Sequence, residues 1–131
     1  MIVLDASALV DVVIDQASKS WVLDQLETDT VIAPAHQLAE VLSALARLVR
    51  AGEMDLPAAS DAAAEARRLE QDLLSPTAAQ LVRALDLQDR VRVLDALYVV
   101  LAQDYDAPLI TTDERLARTP LSIEVRSPAS A

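Results

Sequence analysis

Apolar residues along the chain follow two rhythms. Short unbroken runs, Ile2-Val3-Leu4, Thr30-Val31-Ile32-Ala33 and Leu109-Ile110, are rich in β-branched side chains and stop at carboxylate, proline or hydroxyl residues. Runs of that length and make-up predict buried strands. Between them the apolar positions recur at helical spacing. The clearest case is 35–51, where Leu38, Val41, Leu42, Leu45, Leu48 and Val49 form one stripe and Gly52 supplies a stop. Further helices are predicted after a Ser7 cap (Ala8, Leu9, Val10, Val12, Val13), over 18–26 around Trp21, Val22 and Leu26, over 55–72 with Pro57 in the first turn, and over 77–87 behind a Thr77 cap. The segment 93–105 is apolar nearly all round, which predicts a central, buried helix. Leu73-Leu74 reads as a strand stub, 89–92 as a turn, 114–117 as a short helix, 123–125 as a last strand and 127–131 as a loose tail.

Strands alternate with helices throughout, so the pattern predicts an α/β fold with a mainly parallel sheet and helices on both faces. In such sheets ligands bind outside the carboxyl ends of the strands. Asp5 ends the first strand, and Asp113 follows Thr111 and Thr112 at the end of another. If those strands are neighbours, two like charges open onto one crevice, and a cation between them is the simplest remedy.

The 131 residues suit one domain with a real core, expected over 1–126. Hydrophobic residues make up 53 %, which argues against disorder. A single glycine excludes glycine-rich phosphate loops, and the lack of cysteine excludes disulfides and thiolate zinc sites. The net charge of −10 is the wrong sign for nucleic-acid binding by charge alone, though it leaves room for a bridging metal and a local arginine patch. All basic residues but Lys19 are arginine, and Arg47, Arg50, Arg90, Arg92, Arg115 and Arg118 are candidates to rim the crevice. The start lacks a cationic segment, so no signal peptide is expected, and no apolar run is long enough for a membrane span; a cytoplasmic protein is the expectation.

Each further acid has a plain alternative. Asp5 and Asp113 could cap the helices that follow them. Asp95, in the most apolar segment, is costly to bury without a partner, but could be an N-cap. Glu40 lies off the Leu38/Leu45 stripe, where a solvated charge is the commoner reading. His36 is the only histidine and reads as a surface residue, and Tyr98 as packing.

In order, the chain presents Asp5-Ala6-Ser7, a Glu in a helix preceded by proline (Pro34 … Leu38-Ala39-Glu40-Val41), Asp95-Ala96-Leu97-Tyr98 opening an apolar helix, and Leu109-Ile110-Thr111-Thr112-Asp113. This series resembles the PIN-domain nucleases, and within them the VapC-type toxins of toxin–antitoxin pairs. The resemblance implies a three-layer α/β/α sandwich with a sheet of four to five strands. It places the family's acidic quartet, catalytic and metal-binding, on Asp5, Glu40, Asp95 and Asp113, with Ser7 and Thr112 as accessory hydroxyls and Glu114 as a candidate extra acid. Val93-Leu94 departs from the family pattern, in which a hydroxyl residue often precedes the third acid. An all-oxygen site selects Mg²⁺ or Mn²⁺, which lowers the pKa of water and offsets charge on the phosphoryl oxygens. The implied function is a metal-dependent endoribonuclease toxin, a homodimer neutralised by a small antitoxin. Alternatives are a PIN nuclease of RNA processing and a non-catalytic acidic module. A phospho-acceptor signalling domain is a more distant one, because it needs a late lysine and Lys19 lies early.

Overall fold

The computed structural model describes residues 1–128; of the tail expected at 127–131, the last three lie outside the described residues. Five strands, β1 (Ile2–Leu4), β2 (Val31–Pro34), β3 (Asp72–Leu74), β4 (Leu109–Ile110) and β5 (Val125–Arg126), form one sheet in the order β3-β2-β1-β4-β5. Every pairing is parallel. The helices are α1 (Ala6–Val13), α2 (Lys19–Leu26), α3 (Gln37–Arg50), α4 (Leu56–Arg68), α5 (Ala78–Asp86), α6 (Val93–Tyr105) and α7 (Glu114–Arg118).

The strand order positions the site. From β1 the chain winds one way, to β2 and then β3, and afterwards returns to the other side of β1 for β4 and β5. Right-handed crossovers then send α1–α4 and the later helices to opposite faces. Two contact groups agree with that division: α1, α3 and α4 pack on one another, while α5 packs on α6 and α6 lies against β1, β2 and β4. The winding reverses between β1 and β4, and the crevice at their carboxyl ends is where ligands bind in folds of this kind.

The core is aliphatic. Ile2, Val3, Leu4, Leu109 and Ile110 are fully buried, as expected for a central parallel sheet covered on both faces. In α6 all of Ala96 and Tyr98 to Ala102 is buried, with Val93 and Leu94 exposed at its start. On α3 the buried face is Gln37, Val41 and Leu45. Leu42, expected in the stripe, is 60 % exposed beside Leu56 of α4. No helix among the described residues is long and apolar enough to cross a membrane.

Three boundaries differ from the sequence pattern. The helix expected over 55–72 stops at Arg68, because the chain leaves it to pair with β2: Ile32, Ala33 and Pro34 stand opposite Asp72, Leu73 and Leu74. Local propensity favours continuing that Ala- and Glu-rich helix, and sheet pairing overrides it. β5 lies later than 123–125, because the Leu109 N–H donates to Glu124 O and the Thr111 N–H to Arg126 O, setting its register. Ser127, placed in the tail by sequence, is buried. Three later caps are well formed. Asp55 accepts from the Ala58 N–H, Thr77 and Gln80 form a reciprocal capping box, and Gly52 takes φ +73° at the end of α3.

One buried side chain ties the carboxyl edge together. The Gln37 amide in the first turn of α3 donates to Leu4 O, the last carbonyl of β1, at 3.0 Å. It also exchanges hydrogen bonds with the Gln71 amide, at 3.0 and 2.6 Å. This fixes α3 relative to β1. Gln37→Leu leaves Leu4 O and Gln71 without those partners in the interior, so urea denaturation should show a loss of about 2 kcal/mol. An unchanged midpoint would mean that the amide clamp adds nothing.

Candidate active site

At the end of β1 the backbone enters α1 with Asp5 as N-cap, yet its carboxylate makes no capping hydrogen bond. It turns instead toward two hydroxyls. Ser7 Oγ donates to Asp5 Oδ2 at 2.5 Å and Thr111 Oγ1 donates to the same oxygen at 2.8 Å. Each hydroxyl in turn accepts a backbone N–H, Ser7 from Thr112 at 3.1 Å and Thr111 from Asp113 at 3.0 Å. With those acceptor sites taken, both hydroxyl protons are free for Oδ2, and the ends of β1 and β4 are locked together. Asp5 Oδ1 has no protein hydrogen bond among the described residues.

This corrects one expectation and adds a hydroxyl to another. Ser7 lies inside α1 and is not its cap. Thr112 lines the crevice and contributes its backbone N–H, whereas the hydroxyl on Asp5 belongs to the fully buried Thr111. A period-two reading of the strand could have found it: Asp5 and Thr111 end adjacent parallel strands, one residue past the Leu4–Ile110 pair.

All four acids of the expected quartet line one crevice of about 370 Å³. Each sits at a helix start: Asp5 and Asp113 as N-caps of α1 and α7, Glu40 and Asp95 in the first turns of α3 and α6. Asp113 also caps as expected, Oδ1 accepting from the N–H groups of Arg115 and Leu116. Asp95 is not a cap. It is buried, and the Arg92 guanidinium holds it with Nε 3.1 Å from Oδ2. That contact keeps the Arg92 guanidinium firmly charged. Arg47 also lines the crevice; Glu114 is not in its lining.

Glu40 is drawn inward by residues that periodicity leaves as packing or surface. The Tyr98 ring is fully buried, and its hydroxyl donates to Glu40 Oε1 at 2.8 Å. His36 Nε2 lies 3.2 Å from both Leu94 O and Glu40 Oε1, so with two acceptors before it this nitrogen carries a proton. Its ring meets the Tyr98 ring edge-on, centroids 5.2 Å apart. Burial would raise the Glu40 carboxyl, but hydrogen bonds from His36 and Tyr98 outweigh it and hold the group below its ordinary value. Burial, with the Asp5 and Glu40 charges, pushes the Tyr98 hydroxyl far up, so it serves as a fixed donor.

Asp5 shows the opposite balance. Burial dominates, the two hydroxyls oppose it, Asp95 and Glu40 add to it, and the carboxyl is raised to about 6. Among the described residues no three Asp, Glu or His side chains converge closely enough to cage an ion alone. The donor set nonetheless suits a hard cation that keeps part of its water shell and binds through one or two carboxylates.

A family model described as "PIN domain" matches residues 2–121. Ribonuclease VapC3 of Mycobacterium tuberculosis is 43 % identical over 118 residues, covering 89 % of this chain and 85 % of that protein. Ribonuclease VapC1 of the same organism is 37 % identical over 120 residues, covering 90 % of each. Among solved structures, M. tuberculosis VapC20, a toxin described as cleaving the sarcin-ricin loop, superposes with a TM-score of 0.66 at 17 % identity over 89 % of this chain and 93 % of its own. VapBC2 from Rickettsia felis, solved with a DNA fragment from its promoter, gives 0.67 at 15 % identity over 97 % and 98 %. At those identities the two structures speak to the fold alone.

Two measurements test the electrostatics. The raised Asp5 carboxyl makes the folded state hold a proton that the unfolded chain, with its ordinary value of 3.8, has released. Stability from this group is therefore full below about pH 4 and lost as pH rises through about 6, a difference of about 3 kcal/mol. Without divalent ions, Asp5→Asn should melt several degrees above wild type at pH 8, with the gap closing toward pH 4; a gap independent of pH would refute the assignment. Tyr98→Phe removes one donor from Glu40, and a carboxyl-carbon NMR titration should show that group rising toward its ordinary value with the far-UV spectrum unchanged.

Proposed function

The chain belongs to the PIN-domain family, in its VapC group, and from that premise we propose that it is an endoribonuclease, the toxin of a toxin–antitoxin pair, cutting RNA by attack of water on phosphorus. The observation that carries the reading is one crevice lined by Asp5, Glu40, Asp95 and Asp113, acids far apart in sequence. Such a cluster is electrostatically costly unless a cation occupies it.

We place the divalent ion, Mg²⁺ with Mn²⁺ as substitute, in this crevice, held directly by one or two of these four carboxylates and through its water shell by the others. When bound, it supplies a low-pKa water and neutralises charge building on the phosphoryl oxygens. The chain's own residues prepare its ligands. Ser7 and Thr111 hold Asp5 through Oδ2, leaving Oδ1 for the crevice. Tyr98 and His36 hold Glu40 through Oε1, leaving Oε2 to take an ion or the proton of the attacking water. Arg92 lies beside Asp95, where a guanidinium can pass from carboxylate to phosphate. With the 3′-oxygen as leaving group, as the family resemblance implies, in-line attack by water breaks the P–O3′ bond and leaves 5′-phosphate and 3′-hydroxyl ends, with no covalent enzyme intermediate.

The work takes place in the cytoplasm, and the partners are a second copy of the chain and a small antitoxin. Two apolar surfaces support partner binding. One is a groove of about 310 Å³ between α3 and α4, including Leu42, Val49 and Leu56. The other is a face of α5 where Leu81, Val82 and Leu85 are each more than half exposed.

With purified protein and single-stranded RNA, cleavage should require Mg²⁺ or Mn²⁺ and stop in excess EDTA. Asp95→Asn should lower the rate by at least about a hundredfold at unchanged fold. Undiminished cleavage in chelator, or products ending in 2′,3′-cyclic phosphate, would overturn the mechanism.

A further inference from the structure

The crevice does not end at its carboxylates. Beside it lies a second groove of about 270 Å³, formed by the segment leading into α6 and by α7, with Arg92 and Asp95 as the wall between the two. Arg90, Arg92 and Arg115 line it over a floor that includes the buried Val91 and Leu116. The acidic side chains in the lining are Asp89 and Asp95, so guanidinium groups outnumber carboxylates here. In the crevice the balance is reversed: Asp5, Asp11, Glu40, Asp95 and Asp113 face Arg47 and Arg92.

The groove sorts the arginines that sequence leaves equivalent. Arg50 lies in the apolar α3–α4 groove, and Arg118 stands 4.0 Å from Glu114 and lines neither groove nor crevice. The Arg90 backbone N–H donates to Leu87 O, but its guanidinium makes no hydrogen bond or ion pair among the described residues. The Arg115 guanidinium is held only loosely, 4.0 Å from Asp113 Oδ2. Both are exposed cations next to a reaction centre, on a chain whose net charge of −10 repels the substrate elsewhere.

We propose that this groove carries the phosphodiester backbone of the RNA on one side of the bond to be cut. Arg90 and Arg115 hold phosphates there, and Arg92 stands at the junction with the crevice. The inference rests on the ribonuclease reading. A guanidinium fork matches phosphate oxygens, and the wall between groove and crevice is a shared one, so a strand leaving the carboxylates enters the groove directly. No aromatic side chain lines the groove, so it offers no stacking platform for bases. It therefore positions the strand and does not read its sequence.

The test is binding of short fluorescent single-stranded RNAs, one an oligoadenylate and one of mixed sequence, in an Asp5→Asn background that keeps the strand intact. Replacing Arg90→Gln and Arg115→Gln together should weaken binding about tenfold for both RNAs and flatten the log K against log salt slope by about 1.4, two phosphate contacts' worth. In the wild-type background the same pair should raise KM with kcat changed little. Arg67→Gln with Arg68→Gln, on the exposed end of α4, should change none of these. An unchanged affinity and slope in the Arg90/Arg115 variant overturns the groove while leaving the ribonuclease reading standing. An equal loss in the Arg67/Arg68 variant also overturns it, as bulk charge. A loss confined to one RNA sequence overturns the backbone assignment. A wild-type chain that neither binds nor cuts RNA overturns both readings.

Discussion

A carboxylate buried at the end of the central strand is the constraint the rest of the site answers to. Asp5 is 5 % exposed at the junction of β1 and α1, and burial disfavours its charged form. The protein responds with two hydroxyls on a single oxygen, each oriented by a backbone N–H from the β4 loop. The response is partial, and the carboxyl still stands well above its ordinary value. The remaining deficit is what a cation can relieve. Ligand affinity and apo-state strain are thus two faces of one interaction.

Helix geometry lowers the cost of gathering three more acids around it. Asp5, Glu40, Asp95 and Asp113 all lie at helix N-termini, on α1, α3, α6 and α7. There the unpaired N–H groups carry partial positive charge, worth a few tenths to about 1 kcal/mol for each carboxylate. For α1, α3 and α7 a parallel sheet delivers this arrangement without further design, because each follows a strand and starts at the carboxyl edge; α6 follows α5 and ends before β4. The reversal of winding between β1 and β4 opens the space, and the Gln37 clamp on Leu4 O holds α3 at its border.

Much of this was legible in the sequence where apolar runs end in acids. Asp5 and Asp113 stood out as strand-end carboxylates, and Asp95 as a charge in an apolar helix. Glu40 did not: its α3 neighbours gave it no reason to face inward, and only the family resemblance placed it. The structural reason lies on another helix, in the Tyr98 hydroxyl 58 residues away. The family resemblance singled out Thr112 as the accessory hydroxyl, and the part Thr111 plays emerges with the pairing of β4 on β1. Nothing in the local sequence singles out Gln37, since its partners, Leu4 O and Gln71, come from elsewhere in the chain. In each case the missing information is a contact across elements, which no local period encodes.

The carboxylates share a further feature. Each is engaged by the protein, three of them through one oxygen: Asp5 Oδ2 by hydroxyls, Glu40 Oε1 by Tyr98 and His36, and Asp113 Oδ1 by its helix, while Arg92 reaches both oxygens of Asp95, at 3.1 and 3.5 Å. A carboxylate anchored through one oxygen has lost most of its torsional freedom before any ligand arrives, and offers the other oxygen in a set direction. That favours several single-oxygen contacts around a partly hydrated ion over a closed cage, and it matches the absence of a tight three-residue cluster among the described residues. An open coordination sphere is also what a phosphodiester needs, because its oxygens must join the ion for the bond to be activated. The same anchoring hydrogen bonds that ease the burial of Asp5 and Glu40 would therefore leave room at a bound ion for a phosphodiester oxygen.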